Sequence, residues 1–329
     1  MTTRRRTLYL PLMIAAAVLL ACAAALLAGS QKAEATFRGH NGKIAYASYD
    51  GNDYEIYTIN ARGGGRSQVT DNVTNDVEPS YSPDGHKITY AGFDGNDYEI
   101  YTINAGGGGD KLQVTNNDKN NLSPSYSPSG EKLAYVGINR GDWDIYTTKV
   151  GGGGTTQVTD NNKYDFAPSY SPSGEKLAYE CYAGSDTDIC TISVRGGGNF
   201  NVTKNDTDDF NPDYSPDGNR IAYEGFEGRI GENPSDDAST NIYTIKVGGG
   251  GKFNVTKSSK IGSIRNQWPS YSPDGNRIAY QGPDHEIHTI KVGGGGKSRV
   301  TKNDTPDYGL SWGNRHDDDD SEDAHNNDD

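Results

Sequence analysis

The chain has 329 residues, of which 32% are hydrophobic, and a formal net charge of −14 at pH 7. An acidic chain without clustered Lys and Arg lacks the positive surface that binds phosphate backbones, so nucleic acid is excluded as a partner. The mean hydropathy of −0.81 is low for a core-forming chain, but 22 Tyr residues can bury large rings.

The first segment of the chain has the order of a secretory signal peptide. Arg4–Arg6 form a basic start, an apolar stretch follows over Leu8–Leu27, and Ala33–Ala35 offers a small-x-small cleavage site. We therefore predict a signal peptide over residues 1–35 and a mature chain that begins at Thr36.

Two alternatives stay open for this segment. Its apolar stretch reaches the roughly 17–25 residues of a spanning helix, which would make it an N-terminal anchor. Leu19–Cys22 resembles a bacterial lipoprotein box, in which Cys22 would carry the lipid. All three interpretations place the rest of the chain outside the cytoplasm, as a periplasmic, cell-surface or secreted protein that meets the membrane only through this segment.

A repeated phrase, Tyr-Ser-Pro followed by Asp or Ser and then Gly, organises the rest of the chain. It begins at five positions, Tyr81, Tyr126, Tyr170, Tyr214 and Tyr271. The intervals are 45, 44, 44 and 57 residues, and a period of this length is typical of repeat architectures. Residues shared by every repeat are expected to be structural, so a functional site should lie where the repeats differ.

Each repeat predicts four short strands. After the Gly of the phrase come an apolar-x-Tyr strand, a polar turn, a second strand, a Gly-rich turn and a short strand that ends in Val-Thr. An Asp/Asn-rich loop then leads to the next Pro-Ser-Tyr, and no helical periodicity occurs. Four-stranded antiparallel sheets that repeat every 40–50 residues or so arrange radially as a β-propeller.

The ends of the repeat array are complementary. A sixth copy begins at Gly42 without the phrase before it, whereas Leu310–Trp312 occupies the Pro-Ser-Tyr position with no Val-Thr strand after it. The C-terminal segment should therefore supply the innermost strand of the first blade, which removes exposed sheet edges. We predict an all-β fold, a six-bladed β-propeller of four-stranded antiparallel blades over residues 36–314, closed by the C-terminal strand. A disordered acidic tail is predicted over 315–329.

The repeat resembles that of a known family. Pro-Ser-Tyr-Ser-Pro-Asp-Gly-x-x-Ile-Ala-Tyr, followed by Asp-x-x-Ile-Tyr and Val-Thr, is similar to the TolB-type propeller repeat, a relative of WD repeats. The resemblance covers about residues 42–313 and only the propeller part of TolB, because we expect no room here for the α/β domain that precedes that propeller. It implies a propeller that docks partners in the cell envelope.

Three apparent chemical motifs coincide with repeat positions and are interpreted as structural. The Gly runs lead into strands, whereas a phosphate loop leads into a helix. Gly309–Gly313 matches a nucleophile elbow, but its Ser lies at a repeat position. His285 and His288 lie three residues apart in a predicted strand and replace two Tyr residues of another repeat. We therefore predict no catalytic, cofactor-binding or metal-binding residue and no enzyme activity.

Two acidic features leave calcium as an alternative. Asp50–Glu55, which recurs as Asp94–Glu99, is interpreted as a hairpin turn, with a weak calcium contact as the alternative. The loops before the innermost strands carry Asp or Asn side chains that would either form a ring at the channel mouth, attracting a cation or a basic peptide, or cap their own turns. These residues are Asp76, Asn121, Asp165, Asp209, Asn266 and Asp307.

Cys181 and Cys190 are the two cysteines after the leader. A two-residue turn at Ser185–Asp186 would place them directly opposite each other on adjacent strands, and an exported chain meets an oxidising environment. We predict a structural disulfide, because the nearby Glu180 and Asp188 disfavour a reactive thiol.

Two loops depart from the repeat, and both are predicted on the same face of the propeller. The fifth blade lengthens its first turn over Glu227–Asn241, and the loop before Tyr271 is enlarged and basic. Interfaces favour Trp and Arg anchors, so this face is the predicted partner site. The residues assigned to it are Arg229, Asp236, Asp237, Lys260, Arg265 and Trp268.

These observations favour an exported, monomeric, non-enzymatic scaffold that binds a protein or peptide of the cell envelope through the face with the variable loops. The alternatives are a cation- or glycan-binding module, and a hydrolase or lyase with a pocket at the channel mouth. The enzymatic alternative would need convergent acid and base groups, which the sequence does not show.

Overall fold

The computed structural model describes residues 39–109, 111–139, 141–227, 239–258, 265–303 and 305–315. The predicted leader and the predicted acidic tail beyond Arg315 lie outside these residues. None of the described residues is helical, so the described part of the chain contains no helix that could span a membrane.

Within the described ranges the fold consists of 24 strands, which are numbered in chain order. They are β1 (Asn41–Tyr49), β2 (Tyr54–Asn60), β3 (Ser67–Gln68), β4 (Asp76–Tyr81), β5 (Lys87–Phe93), β6 (Tyr98–Asn104), β7 (Leu112–Gln113), β8 (Asn121–Tyr126), β9 (Lys132–Asn139), β10 (Asp142–Lys149), β11 (Thr156–Gln157), β12 (Asp165–Tyr170), β13 (Lys176–Tyr182), β14 (Thr187–Ser193), β15 (Phe200–Asn201), β16 (Asp209–Tyr214), β17 (Arg220–Glu227), β18 (Ser239–Lys246), β19 (Phe253–Asn254), β20 (Gln267–Tyr271), β21 (Arg277–Gln281), β22 (Ile287–Lys291), β23 (Ser298–Arg299) and β24 (Asp307–Asn314).

The strands form six sheets of four strands each, and these are the blades of a six-bladed propeller. Blade 1 has the order β24-β1-β2-β3, and blades 2 to 6 are β4–β7, β8–β11, β12–β15, β16–β19 and β20–β23. The strand named first in each blade lies innermost, beside the central channel. The predicted fold class is confirmed.

Strand β24 closes the ring by joining three blades. It pairs antiparallel with β1, and the indole N–H of Trp312 donates to the Gly42 carbonyl at 3.2 Å. The Trp312 backbone N–H donates to Ser270 Oγ of blade 6 at 3.0 Å, and the Tyr81 N–H of blade 2 donates to Ser311 Oγ at 3.0 Å. The predicted closure by the C-terminal strand is therefore confirmed.

Aromatic pairs fill much of the space between the sheets. The Tyr of the second strand is buried in each blade, and in five blades it stacks on a ring of the third strand. Such pairs contribute about 0.5–1.5 kcal/mol beyond the area that they bury. They are Tyr46–Tyr57, Tyr90–Tyr101, Tyr135–Tyr146, Tyr223–Tyr243 and Tyr280–His288.

Each innermost strand carries a bulge where the pairing register shifts, at its third residue or, in β20, at its second. The bulged residues all have φ between 47° and 55°. In five blades the next residue is a Pro, which has no N–H to give to the ladder, so the bulge falls where pairing is already interrupted. The bulged residues are Glu78, Ser123, Ala167, Asn211, Trp268 and Gly309.

Two classes of loop lie together on one face, called here the upper face. The turns that join the second and third strands of each blade meet the Asp/Asn-rich loops on this face. For example, Tyr54 N–H donates to Asn75 Oδ1 at 3.0 Å. Thr187 N–H donates in the same way to Asp208 Oδ1 at 2.8 Å. The Ser-Pro-Asp/Ser-Gly turns and the Gly-rich turns lie at the opposite ends of the same strands.

The predicted disulfide joins Cys181 and Cys190, with their Cα atoms 5.8 Å apart. Its predicted geometry was wrong in one respect, because the cysteines are diagonal neighbours and not directly opposite. Cys181 pairs with Asp188, and Cys190 pairs with Tyr179. The last pair before the turn is Tyr182 with Thr187, so the turn has four residues instead of two.

Candidate functional site

The central channel is lined by four rings, each with one residue from every inner strand. A cavity of ≈150 Å³ lies at the upper face and one of ≈90 Å³ lies below it. The mouth ring consists of the bulged residues Glu78, Ser123, Ala167, Asn211, Trp268 and Gly309. The second ring consists of Pro79, Pro124, Pro168, Pro212, Pro269 and Leu310. The third consists of Ser80, Ser125, Ser169, Asp213, Ser270 and Ser311, and the fourth of Tyr81, Tyr126, Tyr170, Tyr214, Tyr271 and Trp312.

The mouth ring is the ring in which the repeats differ most. It contains an acid, a hydroxyl, a methyl, an amide, an indole and a glycine, whereas each ring below it holds one residue type in five of its six positions. All six mouth residues share the same left-handed backbone, so backbone geometry does not account for the variety. The side chains at the mouth are therefore free to differ while the scaffold beneath them stays constant.

The third ring holds the blades together by hydrogen bonds. The hydroxyl of one blade accepts the N–H of the fourth-ring residue in the next blade, as Ser270 Oγ does from Trp312 at 3.0 Å. Asp213 takes this role in blade 5, where its Oδ2 accepts the Tyr271 N–H at 2.7 Å. Burial raises the pKa of the Asp213 carboxyl to about 7, because no compensating cation lies among its described contacts.

Three further carboxyls lie at the mouth, Glu78 in the mouth ring itself and Glu180 and Glu224 beside it. Glu78 Oε2 accepts the N–H of Ser123 at 2.6 Å, and Glu180 Oε1 accepts the N–H of Asn211 at 2.8 Å. Glu224 Oε2 accepts from Asn211 Nδ2 at 3.2 Å, so one amide residue links two carboxyls. The contacts of Glu78 and Glu180 hold the bulged backbone of the next blade in place, and Glu224 holds the Asn211 side chain of its own blade.

Burial raises the pKa of all three carboxyls. That of Glu180 rises to about 8 and that of Glu224 to about 7, with the neighbouring carboxylates adding to the effect at Glu180 and the Arg265 charge partly offsetting it at Glu224. The pKa of Glu78 is also raised. Among the described residues none of the three lies within ion-pair distance of a cation, and the Arg265 charge acts on Glu224 alone.

An aromatic path runs from the mouth outward across blade 1. The Trp268 ring lies 5.4 Å from that of Tyr308, in an edge-on arrangement. Tyr308 lies 5.5 Å from Tyr54, which lies 5.5 Å from Tyr49. Tyr49 ends the path with 38% of its surface exposed. Partly exposed rings beside a channel mouth offer rigid apolar contact area to a partner.

The structure describes two residues of the predicted partner patch. Trp268 lines the channel mouth, and Arg265 is exposed on the upper face nearby. The other four residues lie outside the described ranges, and they are Arg229, Asp236, Asp237 and Lys260.

The predicted Asp/Asn ring does not line the channel. All six residues are buried, with at most 3% of the surface exposed, and they face the interior of their own blades. Asp76, Asp165 and Asp209 each accept from the Asn four residues earlier, at 2.6–2.8 Å. Asn121 and Asp307 bond to residues of their own loops, Lys119 and Asn303, whereas Asn266 donates to the Thr240 carbonyl of blade 5. These are the contacts of the capping alternative.

The other candidate ligand sites have local partners. Asp50 Oδ1 accepts the N–H groups of Asn52 and Asp53 at 2.7 and 3.2 Å, as in a turn. His285 lies in a turn before β22, and His288 Nε2 lies 2.8 Å from Asp284 Oδ1. Among the described residues, no three His, Cys, Asp or Glu side chains are placed to hold a metal ion.

Sequence reasoning missed the carboxyls of the channel. Each of them breaks a repeat position: Asp213 replaces Ser, and Glu180 and Glu224 stand where blades 2 and 3 have Ala91 and Val136. A position-by-position comparison of the six repeats contains this signal. The predicted partner site was instead based on the two loops that are longer than in the other repeats. That criterion identified Trp268 but not the carboxyls near it.

Comparisons with known proteins agree with this architecture. The family description "TolB beta propeller domain" matches residues 108–232. The fold is similar to TolB from Acinetobacter baumannii (19% identity, 83% of this chain and 67% of that one, TM-score 0.68). It is also similar to a protein described as TolB from Agrobacterium tumefaciens (21% identity, 70% and 83%, TM-score 0.56). An oligogalacturonate lyase from Vibrio parahaemolyticus shares the fold as well (11% identity, 82% and 78%, TM-score 0.54). No curated protein matches the sequence.

Proposed function

We propose that this chain, a six-bladed propeller with TolB-type repeats, is an exported, non-enzymatic scaffold that binds a protein or peptide partner at the mouth of its channel. Two of the fold neighbours are TolB proteins, and the leader favours export of this chain. Fold likeness at these identities supports the architecture, and the partner site is argued from the residues of the mouth.

One observation carries the proposal, namely the variety of the mouth ring above three nearly uniform rings. A residue that serves the scaffold is repeated from blade to blade, as the Pro and Ser of the lower rings are in five of the six blades. The mouth ring is not repeated, and it presents Trp268, the kind of residue that anchors interfaces. The aromatic path extends this surface outward to Tyr49.

The charge of the mouth indicates the chemistry of the partner. Glu78, Glu180 and Glu224 are held close together without an ion-pair partner among the described residues. A Lys or Arg side chain from a partner would favour ionisation of these carboxyls, whose pKa values burial raises, and would pair with them. Trp268 is placed to contact the aliphatic part or the cation of that side chain. We therefore expect a partner that presents a basic segment.

Capture of a partner from cell-envelope extract tests the proposal. Trp268→Asn is the informative variant, because Asn211 shows that Asn fits the same bulge with φ near 52°. Phe200→Ala is the control, since Phe200 is an exposed aromatic residue on the outermost strand of blade 4, away from the channel. We expect the wild type and the control to capture the same protein and Trp268→Asn to capture at least tenfold less. Equal capture by all three proteins would contradict the proposed site.

A further inference from the structure

Blade 4 lacks an aromatic ring that the other blades have. In blades 2, 3, 5 and 6 a Gly of the second strand leaves room for a ring of the third strand. A Cβ atom added at Gly92 would lie 2.9 Å from the Tyr101 ring, and one added at Gly225 would lie 2.8 Å from the Tyr243 ring. The corresponding pairs in blades 3 and 6 are Gly137 with Tyr146 and Gly282 with His288.

The disulfide of blade 4 occupies both of these positions. Cys181 stands where blades 2, 3, 5 and 6 have this Gly, and Cys190 stands where they have the ring. The two sulfurs bond to each other, so neither side chain extends into the volume that Tyr101 and its equivalents fill. Tyr179, the second-strand Tyr of this blade, accordingly has no stacked partner among the described rings.

A cavity of ≈340 Å³ lies at this place. Its size falls in the range of about 300–1,000 Å³ that is usual for small-ligand pockets. It opens on the upper face beside Tyr182 and Ala183, and Tyr182 is 41% exposed. The disulfide forms part of its wall, together with Asn161, Asp165, Asn199 and Asn201.

An Asn–Asp pair in the wall of the cavity also lies beside the ring in blades 2 and 5. Asn161 Nδ2 donates to Asp165 Oδ2 at 2.8 Å, as Asn72 donates to Asp76 at 2.7 Å beside Tyr101. The second carboxylate oxygen of Asp165 has no hydrogen-bond partner, although the residue is completely buried. The pocket thus lies where the Tyr ring of the third strand lies in blades 2, 3 and 5.

We propose that this pocket binds a tyrosine side chain presented by a partner polypeptide. The chain itself shows how such a ring would be held. Above the Tyr101 and Tyr243 rings lie the ammonium groups of Lys111 and Lys252, at 3.8 and 4.2 Å from the ring centres. In blade 4 the strand residue at that position is Asn199, and Lys163 at the pocket wall is the available cation. The claim that the ring belongs to a polypeptide partner rests on the proposed function, whereas the pocket itself does not.

Titration with N-acetyl-L-tyrosinamide, followed by the backbone amide signals of the ¹⁵N-labelled protein, tests the pocket directly. We expect saturable shifts at Ala183, Asn199 and Asn201, with N-acetyl-L-leucinamide at least tenfold weaker. The double variant Cys181→Gly/Cys190→Tyr restores the Gly and Tyr of the other blades and should fill the pocket with its own ring. We expect it to bind the probe at least tenfold more weakly.

Two further proteins separate the possible failures. Asp71→Ser changes an exposed loop that does not line the pocket and should keep the affinity for the probe. Trp268→Asn alters the channel mouth and should also keep the affinity for the probe. Partner capture by Trp268→Asn therefore tests the channel mouth, and probe binding by Cys181→Gly/Cys190→Tyr tests the pocket. The proposal is overturned if the wild type shows no saturable shifts, or if its shifts lie away from blade 4. Undiminished binding by a folded Gly/Tyr variant would overturn it as well.

Discussion

Asp213 places a carboxyl in a ring where the other five blades place the hydroxyl of a Ser. Both groups accept the same inter-blade N–H, so the bond itself does not require a carboxyl. The difference is charge, because an ionised carboxylate in a narrow channel loses hydration without gaining a described counter-ion. At the scale of the residue, the carboxyls of this channel cost stability to the scaffold and are therefore candidates for a role in binding.

The variant Asp213→Ser should be more stable than the wild type at high pH. The pKa of Asp213 is raised from 3.8 to about 7 in the folded protein, so folding favours its protonated form. The stability that comes from this preference is fully present below 3.8, the pKa of Asp213 in the unfolded chain. It is lost as the pH rises through about 7, the pKa in the folded protein. We expect equal stability at pH 4 and a gain of about 1–3 kcal/mol for the variant at pH 8.

Urea unfolding at several pH values measures this difference. Asp71→Ser is the control, because Asp71 lies on an exposed loop and its removal changes the net charge by the same amount. A gain at pH 8 that is equal in both variants, or a gain for Asp213→Ser that does not change with pH, would contradict burial as the cause.

At the scale of the element, the sequence predicts the strands well because each strand has its own local signal. The apolar-x-Tyr pattern, the Gly-rich turns and Val-Thr mark three strands in each repeat, and the structure has them all. The bulges were not predicted and the register of the β13–β14 hairpin was predicted wrongly, because both depend on contacts between strands. Two strands of the same composition can pair around a two-residue or a four-residue turn, and only packing decides between them.

The disulfide between β13 and β14 closes a short loop, with nine residues of sequence separation. Chain entropy predicts that such a cross-link stabilises the folded protein by about 2–3 kcal/mol. We therefore expect Cys181→Ala/Cys190→Ala to lower the free energy of unfolding by this amount, as measured by guanidinium unfolding. The wild type in reducing buffer should show the same loss. A loss under 0.5 kcal/mol or so in both cases would indicate that the sheet alone fixes this hairpin.

At the scale of the whole molecule, the ring depends on one strand that comes from the far end of the chain. β24 gives blade 1 its innermost strand and hydrogen-bonds to blades 6 and 2. The complementary repeat ends predicted this closure, because the missing piece of the first repeat is present in the last. The mouth of the channel could not be predicted in the same way, since its acids come from three blades, Glu78 from an innermost strand and Glu180 and Glu224 from second strands, which converge only in the closed ring.

Removal of residues 307–329 should abolish cooperative unfolding. The truncated chain would expose the edge of β1 and the sides of blades 2 and 6 that pack on β24, and we expect aggregation or a broad, non-cooperative thermal transition. Truncation after Arg315 is the matched control, because it leaves every described strand in place. A sharp thermal transition in the shorter protein, within a few degrees of the control, would show that the ring does not need this strand.

Site-specific photo-crosslinking tests the partner site most directly. A photoreactive phenylalanine analogue is placed at Trp268 in the mouth or, as the control, at Asn276 in an exposed turn on the opposite face. Both proteins are then irradiated in intact cells. We predict that position 268 forms a covalent adduct with a single partner protein and that position 276 forms none. Adducts of the same partner from position 276 with none from position 268 would contradict a binding site at the channel mouth.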